Sequence, residues 1–496
     1  MTPLDFRNGQ AVDLGAIEHM EIGPFHEAIL AGVNNGARIS SLFAAKMPSG
    51  ESAIYALLAF DAQHSLRVLS AKVSGSFPAL TASCPQAHLF EREILEQFGI
   101  VPQGHPWMKP VRHHHFDSGT AASGQNSSYP FFRMTGDQVH EVAVGPVHAG
   151  VIEPGHFRFQ CHGEVVYHLE IHLGYQHRGV EEALVGGPNK RTLGQIEVVA
   201  GDTTIGHATA YCSILESLSG TAPPPRALAL RAIALELERL ANHVGDIGAL
   251  SNDVGFLPTA SYCGRLRAEF LNMTTAVCGN RMGHGMVRPG GVAFDVDAGM
   301  GDDLLKRLDT ASRDLALLVE QFFSTQSVMA RLECVGKVST QTCNDLGFVG
   351  LAARASGCPR DLRVDHPLGW YKEASIPVVS FSSGDVLARA MVRSLEAERS
   401  LVFVREQLGR LPSGEVTSSC GQLAPNKFAV ALVEGWRGEI AHVAITDGWG
   451  NFARYKIVDP SFHNWTALAM ALRGQQISDF PLCNKSFNLS YCGFDL

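Results

Sequence analysis

The chain has 496 residues, 45% hydrophobic and 18% charged, with 50 glycines and 24 prolines. It is therefore long enough for two or three packed domains joined by many turns, and its composition excludes a disordered chain. A formal net charge of −9 without a concentrated basic run gives no basis for nucleic-acid binding, which needs cations that displace phosphate counterions.

The low charge points instead to large buried contacts with partner subunits. The amino terminus, MTPLDFRNGQAVDL, carries acids early and lacks the basic start and apolar run of an export signal, which predicts a cytoplasmic chain. No stretch of about 18 residues is uniformly apolar, so any membrane attachment is expected through partners. The 11 cysteines spread from Cys84 to Cys492 without a single Cys-x-x-Cys pair. Buried thiols in a reducing compartment are expected rather than metal ligands.

In chain order, residues 1–112 mix short apolar runs with glycine and serine punctuation and predict a small α+β domain that closes at LFEREILEQFGIVPQGHPWMKPVR. Residues 113–140 are polar, small and turn-rich, which predicts an interdomain linker. Its first three residues are His113, His114 and His115. Adjacent side chains diverge on any regular element, so these read as a solvated linker end rather than a metal grip. From 141 onward, extended segments such as FRFQCHGEVVYHLEIHLG give way to helical patterns. In one of these, Ile233, Leu237, Leu240, Val244 and Ile247 form the stripe of a core-facing helix, with Glu236, Glu238 and Arg239 on its opposite side. GDVLARAMVRSLEAERSLVFVREQLGRLP predicts a second long helix, and Asp447 to Gly450 predicts a hairpin turn between late strands.

Several segments carry a resemblance. FEREILEQFGIVPQGHP, residues 90–106, is similar to the signature of the smaller of two adjoining peripheral-arm subunits of respiratory complex I. The rest resembles the larger of those subunits and the large subunit of group 4 nickel-iron hydrogenases, including formate hydrogenlyase, in which both parts are fused as here. GPVHAGVIEPGHFRF, GYQHRGVEE, GNRMGHGMVRPGGV, VEGWRGE and KIVDPSFHNW carry it over residues 143–496. The resemblance implies an α+β chain: a small N-terminal α+β domain (1–112), the linker, then a large domain (141–496) with a central helical bundle and flanking antiparallel strands.

In the hydrogenases, four thiolates in two Cys-x-x-Cys pairs hold nickel and iron, because sulfur donates strongly and bridges two metals. Aligned on His207 and Ala210-Tyr211, the early pair falls on Ala200 and Thr203; aligned on SFNLSYCGFDL, the late pair falls on Ser490 and Gly493. None is a thiolate. Cys492 stands nearby alone, and Cys212, Cys483 and Cys492 match no ligand spacing. The chain also ends directly after this motif, with nothing resembling the peptide that hydrogenases remove after metal insertion. No metal and no cofactor bound by the chain itself are expected.

By resemblance, the vacated cavity is the head of a quinone channel beside a small subunit that bears a four-iron cluster. Candidate catalytic groups are Glu181, Asp202 and His207; candidate quinone-binding groups are His148, His156 and Tyr211. Histidine, aspartate and tyrosine suit the two protons that quinone reduction consumes. For each, the alternative is a satisfied buried polar group. His148 and His156 are eight residues apart, so which matches the complex I quinone-loop histidine stays open. Glu181 is expected either as a proton carrier with a raised pKa or, with Glu182, as an ion-pair partner of Arg178 or another arginine. Arg288, Gly290, Gly291, Arg437 and Gly438 are expected to serve turns and buried ion pairs.

The resemblance thus implies a subunit of a membrane-associated, hydrogenase-related oxidoreductase complex, peripheral on the cytoplasmic face of the membrane. Its implied partners are the small iron-sulfur subunit, a ferredoxin-like subunit and membrane subunits that include antiporter-like proteins. The competing expectations are an active nickel-iron hydrogenase large subunit and a structural scaffold.

Overall fold

The computed structural model describes residues 4–47, 50–112, 129–148 and 153–496. His113 to His115 lie outside the described residues.

The first part is an α+β unit. Strands β1 (Leu4–Phe6), β4 (Arg38–Lys46), β5 (Ser52–Phe60) and β6 (Ser65–Val73) form a sheet in the order β1-β6-β5-β4, with β3 (His19–Met20) parallel to β6. Helix α1 (Ile22–Asn34) and helix α2 (His88–Phe98) pack on it. Both β4 and β5 are buried along nearly their whole length; β5 accordingly carries a continuous apolar run, while β4 buries Arg38, Ser40 and Ser41 among its apolar residues. A short parallel pair, β7 (Ser76–Pro78) and β8 (Val101–Gln103), brackets α2.

This unit is knitted to the remainder. Strand β2 (Ala11–Asp13) joins the edge of a second sheet, pairing with Lys427–Ala429 of β14 (Lys427–Glu434). That sheet continues antiparallel through β15 (Glu439–Thr446) and β16 (Phe452–Val458). Tyr55 stacks on Phe428 at 6.0 Å between ring centroids, and Arg454 donates to the Ala44 carbonyl at 3.3 Å. Helix α5 (Thr204–Ser219) also packs on β14 and β15, which accounts for strands buried end to end.

Strands β9 (Val139–Val144), β10 (His156–His162) and β11 (Val165–His172) make a third antiparallel sheet. The end of the predicted linker lies on it: Tyr129 stacks on His172, and the Phe132 amide donates to Glu170 at 2.6 Å. After the short helices α3 (Val180–Ala183) and α4 (Thr192–Ile196) and α5 comes the bundle. Helix α6 (Pro225–Asp253) packs against α7 (Leu257–Cys278) and α13 (Val386–Gly409), and α8 (Ala298–Ser324) closes on α7 and α13. The predicted apolar stripe of α6 is buried, but so are Glu236 and Arg239, which sequence periodicity placed on the opposite side. Neighbours on all sides of α6 remove its solvent face, and its charges are met by buried partners instead.

Between α8 and α13 run α9 (Gln326–Leu332), α10 (Thr340–Leu346), α11 (Gly350–Ala355) and α12 (Leu362–Asp365). Helix α14 (Pro460–Ala471), helix α15 (Phe480–Phe487) and α16 (Tyr491–Phe494) complete the chain, and the predicted hairpin turn is present, with Asp447 accepting from the Trp449 and Asn451 amides at 2.8 Å. No helix among the described residues is long and apolar enough to cross a membrane.

The β14–β15 turn is clamped from behind by the start of α11. Gly350 has φ +61°, and a Cβ there would lie 2.1 Å from the Gly438 Cα and 2.4 Å from the Arg437 carbonyl oxygen. Gly350→Ala is expected to cost about 3 kcal/mol from backbone strain and overlap, read as a lowered thermal midpoint; an unchanged midpoint would contradict this packing.

Candidate active site

Three loops far apart in sequence meet beside the β14–β15 turn. Arg178 draws two of them together, donating from one guanidinium nitrogen to the Val199 carbonyl at 2.9 Å and the Cys492 carbonyl at 3.0 Å. The third, which carries His148, packs against the C-terminal motif: a Cβ at Gly155 would lie 2.7 Å from the Tyr491 ring, and Phe157 lies against both His148 and Tyr491.

An ion pair is the centre of the site. Arg437, buried at the tip of the β14–β15 turn, donates to both oxygens of Asp202 at 2.6 and 2.7 Å, to Thr203 Oγ1 at 3.3 Å and to the Asn488 carbonyl at 2.5 Å. Its neighbour Trp436 donates its indole N–H to the Asp202 carbonyl at 3.1 Å. One guanidinium therefore holds the GDTT loop to the C-terminal loop. Burial would push the Asp202 carboxyl up, but Arg437 outweighs it and holds Asp202 below the usual carboxylate range.

Behind this pair runs a buried chain of hydrogen bonds. Asp459 caps α14 through one oxygen, accepting from the Ser461 amide at 2.8 Å, and meets His207 Nε2 with the other at 3.2 Å. His207 Nδ1 is 3.0 Å from His442 Nε2, and His442 Nδ1 is 2.9 Å from the Tyr455 hydroxyl. One consistent tautomer set sends every proton toward Asp459: Tyr455 to His442, His442 to His207, His207 to the carboxylate. Burial and then the neighbouring His207 lower the His442 pKa well below its ordinary value, which keeps that ring neutral.

The four positions that stand for metal-binding cysteines by resemblance lie at this junction. Ala200 is buried, and its carbonyl accepts from the Thr203 amide. Thr203 faces Arg437, and the Ser490 hydroxyl accepts from the Gly493 amide at 2.9 Å. Gly493 has no room for any side chain: a Cβ there would lie 2.6 Å from Asp459 Cγ and 2.8 and 2.9 Å from its oxygens. A carboxylate occupies the space that a thiolate from this position would need, and a guanidinium faces the Thr203 position. Among the described residues, no three histidine, cysteine, aspartate or glutamate side chains form a metal-holding group. The donor set does not fit a nickel-iron centre.

The other predicted residues divide. Asp202 lies in the Arg437 pair and His207 in the chain behind it, the His207 amide donating to the Thr203 carbonyl at 3.2 Å. Neither ring nitrogen of His148 has a hydrogen-bond partner among the described residues, whereas His156 is engaged, with Nδ1 3.1 Å from the Gly145 carbonyl and Nε2 3.3 Å from Arg158. Tyr211 lies deeper, its ring 6.2 Å from that of Tyr455 and its hydroxyl paired with Thr192. Arg288 is exposed and donates to the Gly285 carbonyl, so the expected buried ion pair is absent there: it sits at the rim of a two-strand turn of β12 (Val287–Arg288) and β13 (Gly291–Val292), open to solvent.

Glu181 belongs to a different cluster, and of its two expected readings the raised pKa gives way to the ion pair with another arginine, Arg454. Its carboxylate accepts from Lys456 at 2.8 Å, Arg454 at 2.8 Å and the Ile457 amide at 3.0 Å, not from Arg178. Burial alone would raise it, but Lys456, Arg454 and Arg112 prevail and hold it ionised far below the usual range. It lines a cleft with Lys46, Glu96, Gln97, Arg112 and Arg454 at the seam between the first α+β unit and β16.

Sequence reasoning missed Glu238 and Asp459. Glu238 accepts from the Ile205 and Gly206 amides, at 2.7 and 3.3 Å, in the first turn of α5. Burial, reinforced by the Asp202 charge, raises its pKa to about 8, and it lines a cleft with Asp202, Asn242, Arg267 and Arg281. No local pattern announces either residue. The only available signal was that the GDTT loop opens α5 without an acidic residue in its first turn, leaving amides to be capped from another helix.

This fold, an α+β unit fused to a helical bundle with a converging three-loop site, defines the class of fused large subunits shared by complex I and group 4 hydrogenases. The match is specific: residues 253–429 and 418–495 fit the family of the respiratory-chain NADH dehydrogenase 49 Kd subunit, and residues 30–117 fit its 30 Kd subunit. The chain is 30% identical over 440 residues to formate hydrogenlyase subunit 5 of Escherichia coli, covering 84% of this chain and 76% of that one. It is 33% identical over 350 residues to a carbon monoxide-induced hydrogenase of Rhodospirillum rubrum (70% and 97%). It is also 30% identical over 367 residues to an NADH-quinone oxidoreductase component from Deinococcus radiodurans (68% and 90%). The chain belongs to this hydrogenase and complex I family.

Glu181→Gln is expected to destabilise the protein by about 3 kcal/mol or more, because it strands buried Lys456 and Arg454. Since the folded pKa is lowered, the Glu181 contribution is complete above its ordinary value of 4.5 and drains away as the pH falls toward the folded value in strong acid. Urea unfolding of wild type and variant from pH 7 down to pH 3 checks this; equal stability at pH 7 would contradict it.

Proposed function

We propose that this chain is a peripheral-arm subunit of a membrane-associated, hydrogenase-related oxidoreductase complex, and that it works without a nickel-iron centre of its own. The observation that carries the proposal is Asp459, whose carboxylate fills the space beside Gly493. What remains is a proton-handling site. Asp202, Glu238 and the chain from Tyr455 through His442 and His207 to Asp459 can hold or pass protons at stated atoms, while Arg437 supplies fixed positive charge where negative charge would develop on a bound acceptor.

The acceptor that suits these groups is a quinone-like molecule, polar at two oxygens and otherwise apolar. His148, with no partner among the described residues, is the residue placed to donate to one of those oxygens, and it rather than His156 takes the part of the quinone-loop histidine. Electrons arrive from a four-iron cluster in a small iron-sulfur subunit, fed by a ferredoxin-like subunit. Antiporter-like membrane subunits couple the step to ion movement and hold the chain at the cytoplasmic face of the membrane. The relatives named for NADH-quinone and formate chemistry support a site of this kind.

The scaffold alternative draws on one specific observation: Asp202 and Glu181 are both locked in ion pairs. Quinone reduction by the intact complex separates the two. His148→Ala is expected to raise the KM for quinone at least about tenfold, and Asp202→Asn to lower kcat at least about tenfold. Unchanged kinetics in both variants would leave the scaffold as the correct account.

A further inference from the structure

Deep in the bundle, behind the β14–β15 turn, lies a second charged cluster made of residues not assigned above. Arg239, Arg354 and Arg363 face Glu236, Asp361, Glu396 and Glu434, and all seven are at most 3% exposed. Arg354 joins Glu396 at 2.7 Å and Glu434 at 2.6 Å, Arg363 joins Asp361 at 2.6 Å and Glu236 at 3.3 Å, and Arg239 joins Glu236 at 3.1 Å and Glu396 at 3.8 Å. Three cations thus face four carboxylates. An uncompensated charge in such a place costs several kcal/mol, so charge balance requires the cluster to retain one proton.

The surroundings do not supply the missing positive charge. Across the strand pair, Arg38 is shared between Glu439 and Asp61, and Arg360 approaches Asp61 at 4.0 Å. His366 meets Asp61 at 3.0 Å, and Asp365, which accepts from the Asp361 amide, adds another carboxylate. Tyr371 and Ser400 only donate hydrogen bonds to Glu236. On the far side, Arg231 is already bound to Glu216.

The seat of the proton follows from the partners. Glu236 and Glu396 each touch two guanidiniums, and Asp361 accepts two bonds from Arg363 and lies 3.9 Å from Arg354. Glu434 has one guanidinium, Arg354, and one backbone amide, Leu362, at 3.2 Å. The other possible seat, His243, points Nε2 at Glu396 at 2.8 Å, and burial lowers its pKa. Glu434 is also the carboxylate of the cluster that borders a cleft, lined in addition by Arg363, Thr209, Ser213, Trp370 and Tyr371, which gives protons a way in. Consistent with this placement, burial pushes the Glu434 carboxyl up to about 7.

We infer that Glu434 is a proton store, holding the one excess proton of the cluster and exchanging it as charge changes at the Arg437–Asp202 pair. The link is short. Arg239 donates to the Glu434 and Gly435 carbonyls at 2.7 and 3.0 Å, Trp436 then contacts Asp202, and Arg437 closes the ion pair. His243 lies against the Trp436 ring at 6.3 Å, so the cluster sits directly behind the site. The exchange rests on the redox reading proposed above; the held proton does not.

Infrared titration of the purified intact complex, comparing wild type with Glu434→Gln, tests the held proton. In the wild-type minus variant difference a carboxylic-acid C=O band is expected at pH 6, fading toward pH 8, while the band from Glu238 is common to both proteins and cancels. Because Gln mimics a protonated acid, the variant is expected to unfold near the wild-type temperature at pH 4 and increasingly above it up to pH 8, since a raised folded pKa costs wild-type stability as pH rises from about 4.5 through 7. Arg354→Met, which strands Glu396 and Glu434, serves as the destabilised control. No difference band between wild type and variant, or a variant whose unfolding temperature relative to wild type does not rise between pH 4 and pH 8, would overturn the proposal. At pH 8, chemical reduction of the complex is expected to take up fewer protons in Glu434→Gln, by as much as one per chain, and equal uptake would overturn the exchange. Absent quinone reduction in wild type would sink the redox reading alone, because the infrared titration judges Glu434 without it.

Discussion

The Arg437–Asp202 ion pair is the interaction on which the site depends. It fastens the GDTT loop to the turn between two buried strands, and through the Asn488 carbonyl it reaches the C-terminal loop as well. A bidentate guanidinium-carboxylate pair fixes orientation as well as distance, so one contact sets the position of loops that are more than two hundred residues apart. Gly350 and Gly438 serve the same end from behind: only backbones without Cβ atoms approach closely enough to seat that turn.

Around this contact ionic and hydrogen-bonding groups stand beside the positions that match the hydrogenases' metal-binding cysteines by resemblance. Asp459 stands beside Gly493, Arg437 faces Thr203, and the imidazole pair of His207 and His442 lies behind them. Soft sulfur donors would bind a metal; in the function proposed, carboxylate and imidazole hold and move protons instead while guanidinium supplies fixed charge. Buried charge recurs throughout the chain, at Glu181 with Lys456 and Arg454 and at Glu434 with Arg354. Such groups contribute little net stability compared with an apolar core.

Much of this was legible in the sequence, for identifiable reasons. The stripe from Ile233 to Ile247 announced α6 because its spacing matches the helical period, and Asp447 to Gly450 announced the hairpin through turn chemistry. Loop identity singled out Asp202 and His207, which the fold brings into the Arg437 pair and the Asp459 chain. Periodicity failed at Glu236 and Arg239, since it can separate polar from apolar faces but cannot show that a second layer of helices covers the polar one. It failed at Glu181 because the sign of a pKa shift depends on Lys456 and Arg454, some 275 residues away. Asp459 and Glu238 escaped because each acts on a segment far from it in sequence, Gly493 and the start of α5.

The account stands most directly on the nickel content of the purified intact complex, counted per copy of this chain by elemental analysis. With Asp459 and Arg437 filling the place of the thiolates, the expected result is iron from the partner subunits and no stoichiometric nickel. One nickel per chain, retained after removal of loosely bound metal, would contradict it.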